Sequence, residues 1–199
     1  MRRQSIRNAA AAALLLLTTA GAEAQETPPT PVNGVSFEEW TAGNARLADN
    51  RPLEEVLSIL EIDEAQWNEA GETFMKVLSE GDPAFITRYG EIFADPAVGR
   101  FADRDDNPKA TGKLAAYEDY ARVQAHLTVA AEAGVDPQQV LAEHDLSVYE
   151  FSQESGDWIR QMGEAVQDGR IVEWNGIRED FEAEYRERYG LDPVEPETE

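Results

Sequence analysis

The sequence predicts an all-α protein built from two similar four-helix units. Three observations predict it. Apolar and aromatic residues recur at steps of three and four, capping residues and Asp-Pro pairs punctuate these runs, and the order of both returns in the second half. Hydrophobic residues make up 42% of the chain, enough to build a core.

The first unit is expected over residues 35–100. Ser36 and Glu39 form a capping box ahead of Phe37, Trp40, Asn44 and Leu47, which share one helical face. Asn50 is placed to cap a second helix, with Pro52 in its first turn and Val56, Leu57 and Leu60 on its apolar side. Asp63 and Gln66 start a third helix, carrying Trp67, Gly71, Phe74 and Leu78. Asp82-Pro83 opens a fourth with Phe85, Tyr89 and Phe93 four apart, and Asp95-Pro96 closes it.

The second unit, residues 113–190, has the same grammar. Tyr117, Tyr120, Gln124, Leu127 and Ala131 mark its first helix, ended by Gly134. Asp136-Pro137 starts the next, with Val140, Leu141 and His144 on one side. Ser147 and Glu150 box the third, which carries Phe151, Ser155, Trp158 and Met162. Phe181, Tyr185 and Tyr189 mark the last, ended by Gly190 and Pro193. A shift of about 84 pairs Val56 with Val140, Trp67 with Phe151 and Phe74 with Trp158. The first helices align at about 80 and the last at about 96, with the extra residues in loops. The pattern reads as a degenerate internal duplication.

Around these units lie segments without helical period. Residues 25–34 hold three prolines and read as an extended leader, residues 101–112 as an acidic linker or exposed loop, and residues 191–199 as a disordered acidic tail. Residues 1–24 read as a signal peptide. Arg2, Arg3 and Arg7 precede a run of Ala, Leu and Thr, and Ala22-Glu23-Ala24 matches the small-x-small pattern before cleavage at Gln25. The run is too short to span a bilayer, and Gln4-Ser5-Ile6 favours the general secretory route over the twin-arginine route. A periplasmic or secreted protein is therefore expected, with no transmembrane segment after cleavage.

Charge bounds the partners. The chain has 17 basic and 40 acidic residues, a formal charge of −23, and loss of Arg2, Arg3, Arg7 and Glu23 takes it to −25. Such a body repels phosphate backbones and anionic lipid, which excludes nucleic acid. Pro52–Trp67 has the rhythm of a helix-turn-helix, but its second helix opens on Asp63, Glu64 and Ala65, not on groove-reading residues. The expected partner is an unidentified protein or a small neutral or cationic ligand.

Few residues nominate chemistry. The chain has no cysteine, which excludes disulfides, thiolate zinc sites and a cysteine nucleophile. His126 and His144 lie on different helices without the i+3 or i+4 partner of a helical zinc pair, and no metal set or cofactor is expected. Asp103, Asp105, Asp106 and Asn107 cluster oxygens suited to a hard cation. The calcium-loop template, however, requires Gly where Pro108 stands and Glu where Leu114 stands. Glu54-Glu55, Glu179-Asp180 and Glu182 read as exposed helix faces. Tyr117, Tyr120, Tyr185 and Tyr189 carry hydroxyls on core-facing positions and are the candidate binding residues, bordering a groove between helices that suits a neutral or cationic ligand. The expected role is an exported, non-catalytic binding or scaffold protein of the bacterial cell envelope. The alternatives are a periplasmic hydrolase using paired carboxylates, or a cation-binding protein.

Overall fold

The computed structural model describes residues 29–193, so the expected signal peptide and most of the acidic tail lie outside the described residues. Within them the protein is all-α. The first four helices are α1 (Phe37–Ala48), α2 (Leu53–Leu60), α3 (Glu64–Ser79) and α4 (Pro83–Ala94). A 3₁₀ turn at Gly99–Phe101 follows, then α5 (Tyr117–Glu132), α6 (Pro137–Glu143), α7 (Val148–Asp168) and α8 (Ile171–Tyr189). No helix among the described residues is long and apolar enough to cross a membrane.

The helix starts follow their capping chemistry. Ser36, Asp63 and Ser147 each accept from the backbone N–H three residues on, and Glu39, Gln66 and Glu150 reach back to close the box. Asp82 and Asp136 precede Pro83 and Pro137, and each accepts from the N–H two residues on. Two starts differ from the expectation. Pro52, not Asn50, stands at the α2 cap, and Asn50 turns left-handed (φ 61°) in the connection before it. α8 begins ten residues before Phe181, because Ile171, Trp174 and Ile177 continue its apolar face at steps of three and four, with Trp174 and Ile177 packed on the core.

The segment ahead of α1 also acquires shape. Val32 and Val35 exchange backbone hydrogen bonds at 2.9 Å across Asn33 (φ 51°) and Gly34 (φ 76°). Two consecutive positive φ angles are the requirement of a tight primed turn, which Asn-Gly meets. The turn delivers Val35, fully buried, onto the first core.

That core gathers around Phe37, Trp40 and Phe74. Phe37 meets Phe74 edge-on at 5.7 Å and Phe85 at 5.9 Å, while Trp40 meets Tyr89 at 5.9 Å. Each fully buried ring of this kind contributes about 1.5–3 kcal/mol from water exclusion alone. In the other half Tyr117, Tyr120, Leu141 and Leu146 are buried, with Trp158, Trp174 and Phe181 packed against them. Within each half the first helix lies mainly along the last, α1 on α4 and α5 on α8.

A close approach sets the α1–α3 spacing. A Cβ on Gly43 would stand 2.7 Å from the Trp67 ring and 3.0 Å from Val56. Gly43→Ala is expected to destabilise the protein by about 1–3 kcal/mol from overpacking, despite alanine's better helix propensity. Urea denaturation checks it, and an unchanged or raised midpoint would contradict this packing.

Candidate functional site

The four candidate tyrosines fall into two clusters bordered by Phe181. Tyr117 and Tyr120, on the first turn of α5, face the tryptophans of α7 and α8. Tyr117 stacks on Trp174 at 4.1 Å and its hydroxyl donates to the Trp174 carbonyl at 3.2 Å. Tyr120 lies nearly parallel to Trp158, whose indole N–H donates to the Leu114 carbonyl at 2.8 Å. Burial raises the pKa of both phenols. Tyr185 and Tyr189, on the last turns of α8, meet His126 instead. Tyr117, Tyr120 and Tyr185 are each only 5–6% exposed, so their rings serve the core first.

The second cluster contains a buried chain of imidazole and phenol. His126, from the middle of α5, is fully buried and stacks on Tyr185 at 4.0 Å with the rings 2° from parallel. Its Nδ1 lies 2.9 Å from His144 Nε2, and its Nε2 lies 2.7 Å from the Tyr189 hydroxyl. His144 sits at the C-terminal cap of α6, so three helices meet at one ring. A neutral imidazole donates at one nitrogen and accepts at the other. The chain therefore has two self-consistent senses, and reversing it moves a proton across His126. Sequence periodicity places His144 inward, in a slot matching Leu60. The direct His–His contact depends on how α6 folds back on α5, which no local signal encodes.

Both histidines have lowered pKa values. Burial is the first cause for each, reinforced at His126 by His144 and Arg188; Glu143, ion-paired to Arg188 at 2.7 Å, opposes the shift. Arg122 adds to the lowering at His144. The unfolded chain thus binds protons more readily, and stability is lost as the pH falls from about 6.5 through the folded values. The partnered carboxylates Glu39, Glu143 and Glu150 are shifted below 4.5, so their losses come at lower pH. The double variant His126→Gln/His144→Gln is expected to flatten stability against pH between about 6.5 and 5. Urea midpoints across that range check it, and an undiminished slope would contradict the assignment.

A second set of buried polar groups fixes the segment between the halves. Arg46 of α1 is fully buried. It binds Glu55, Asp106 at 2.8 Å and the Asn107 side-chain oxygen at 3.0 Å, and lies over the Phe101 ring. Glu55, expected on an exposed face, is therefore drawn in as a partner. Arg100 of the 3₁₀ turn donates to both oxygens of Glu39 at 2.8 Å, to the Gly34 carbonyl and to the Leu60 carbonyl. Glu154 of α7 accepts from the backbone N–H groups of Thr111, Gly112 and Leu114, and Glu150 accepts from the Thr111 hydroxyl at 2.7 Å. Residues 102–105 are exposed, but Phe101 and Pro108 are buried.

This anchoring consumes half of the candidate cation loop. Asp106 also takes a bidentate contact from Arg104, which with Arg46 pulls its pKa down to about 2. Asp106 and Asn107 thus face guanidinium, leaving Asp103 and Asp105 exposed. Two more contacts join the halves: the Ser147 hydroxyl donates to Asp49 at 3.1 Å, and the Tyr149 hydroxyl donates to the Ala94 carbonyl at 3.0 Å.

Fold and site together define an all-α protein whose first half grips the connecting segment through a buried arginine, whose halves are joined by hydrogen bonds, and whose second half holds a buried histidine–tyrosine chain. The chain belongs to a family described as Family of unknown function (DUF6620), whose model matches residues 2–179. No curated protein and no solved structure matches it.

Proposed function

We propose that this is an exported, non-catalytic binding or scaffold protein of a Gram-negative cell envelope, made of two related four-helix units. The observation that carries the non-catalytic reading is where the inward carboxylates are bound: Glu39 by Arg100, Glu55 and Asp106 by Arg46, and Glu150 by Thr111 and Lys113. Glu39, Asp106, Glu143, Glu150 and Asp168 are displaced downward. Hydrogen bonds from Arg100, Arg104, Arg188, Thr111 and the Arg170 backbone contribute, outweighing burial at Glu150. A hydrolase working through paired acids needs one carboxyl shifted upward to hold a proton. Glu39, Asp106 and Glu150 are spent on holding the chain together. The inward turn of Asp106 and Asn107 favours the binding reading over cation binding in the same way.

The relation between the halves is supported by local geometry. Glu61 and Asp145, 84 apart, are both left-handed without being glycine (φ 53° and 55°). The N–H groups that follow, of Ile62 and Leu146, donate to Leu57 and Leu141, again 84 apart. Arg46 and His126, 80 apart, are the large polar side chains that α1 and α5 bury completely. Export rests on the basic, apolar and small-x-small pattern of residues 1–24. Expression of the full chain in a Gram-negative host, followed by fractionation and N-terminal sequencing, tests it. The expected product is periplasmic and starts at Gln25. A cytoplasmic product that retains residues 1–24 would overturn the export reading.

A further inference from the structure

Where the halves meet lies an open cavity of about 390 Å³, lined by the end of α4, the connecting segment and the start of α7. That volume lies in the range of small-molecule sites, which favour the seams between structural units. Its floor is apolar and built from buried residues: Pro96, Pro108 and Tyr149. The Tyr149 hydroxyl points at two carbonyls, Ala94 at 3.0 Å and Pro108 at 3.3 Å, and so ties the α4 wall to the connecting-segment wall. The Arg46 grip on Asn107 holds that second wall from behind. The cavity is therefore preformed.

Two opposite charges face into it unspent. Lys109 and Asp95 both line the cavity, and among the described residues neither makes an ion pair, with each other or with any other group. Arg104, the other cation there, is already held by Asp106. Asp95 also caps the C-terminus of α4, where the carbonyl ends of the helix favour a positive group. In a chain of formal charge −23, a lysine and an aspartate that line one small cavity, each without an ion pair, are a matched pair of receptors for a molecule carrying both charges.

We propose that this cavity binds a small zwitterion with a short apolar body, a free α-amino acid or a dipeptide. Its carboxylate lies toward Lys109, its ammonium toward Asp95, and its side chain on Pro96, Pro108 and Tyr149. The proposal deepens the binding reading above and does not depend on export.

The test is a thermal-shift screen of the mature chain against the twenty amino acids and a set of alanine-containing dipeptides, followed by calorimetry of whatever shifts the midpoint. At least one compound is expected to raise the midpoint, and comparing free amino acids with dipeptides identifies the source. Lys109→Ala and Asp95→Asn alter exposed side chains, so the unliganded midpoint is expected to hold while affinity falls about tenfold or more. The analogues of the hit lacking the amino group or the carboxylate are expected to weaken equally. No shift with any compound would overturn the proposal, as would equal binding by the plain carboxylic acid or unchanged affinity in both variants. Chemical crosslinking to envelope proteins distinguishes the two readings. A specific crosslinked partner without small-molecule binding sinks this site and leaves the binding reading standing. Small-molecule binding without a partner does the reverse for a scaffold.

Discussion

A guanidinium with no exposure to water sits at the centre of the first half. Taking Arg46 out of water costs several kcal/mol, and its partners must return that energy through geometry. They do so from three directions: Glu55 on α2, Asp106 and Asn107 on the connecting segment, and the face of Phe101. A planar fork satisfies several acceptors at fixed angles, which a lysine ammonium does not. The consequence extends past α1. Because the acceptors lie about 60 residues along the chain, the segment between the halves cannot float. It is drawn against α1, and the cavity wall at Asn107 and Pro108 comes with it.

The second half buries a different kind of polar group. α5 buries His126, and its partners are His144 and Tyr189 instead of carboxylates. A neutral ring avoids the charge burial that α1 accepts, and it exchanges salt-like strength for sensitivity to protons near pH 6.5. The half held by ions keeps its grip across the neutral range, while the half held by the relay loosens first as the medium acidifies. Acidity elsewhere on the surface has no comparable structural role. Arg160 with Asp157 and Glu164 forms exposed helix pairs of small worth.

Helix starts were legible in the sequence because capping is local chemistry. Ser36–Glu39, Asp63–Gln66 and Ser147–Glu150 each need only four residues to declare themselves, and all three boxes form. The start of α8 was not, since Arg170 supplies no side-chain cap there, although Ile171, Trp174 and Ile177 continue the apolar period. The Asn33-Gly34 turn was legible in principle from its dipeptide, but its single bridge is too short to leave an alternating strand pattern. Tyr117, Tyr120 and Tyr185 are buried and Tyr189 is partly buried. That they divide between a tryptophan cluster and a histidine relay depends on how α8 runs along α5. The cavity was invisible, because α4, the connecting segment and α7 contribute residues nearly 60 positions apart.

Arg46 holds the connecting segment and, through it, the junction. Amide hydrogen exchange on Arg46→Met, compared with the native protein, tests it most directly. Lost protection is expected in α1, α2 and residues 99–112 alone, with α5 and the last turns of α8 exchanging as before. Native-like protection of residues 99–112 in the variant would contradict it.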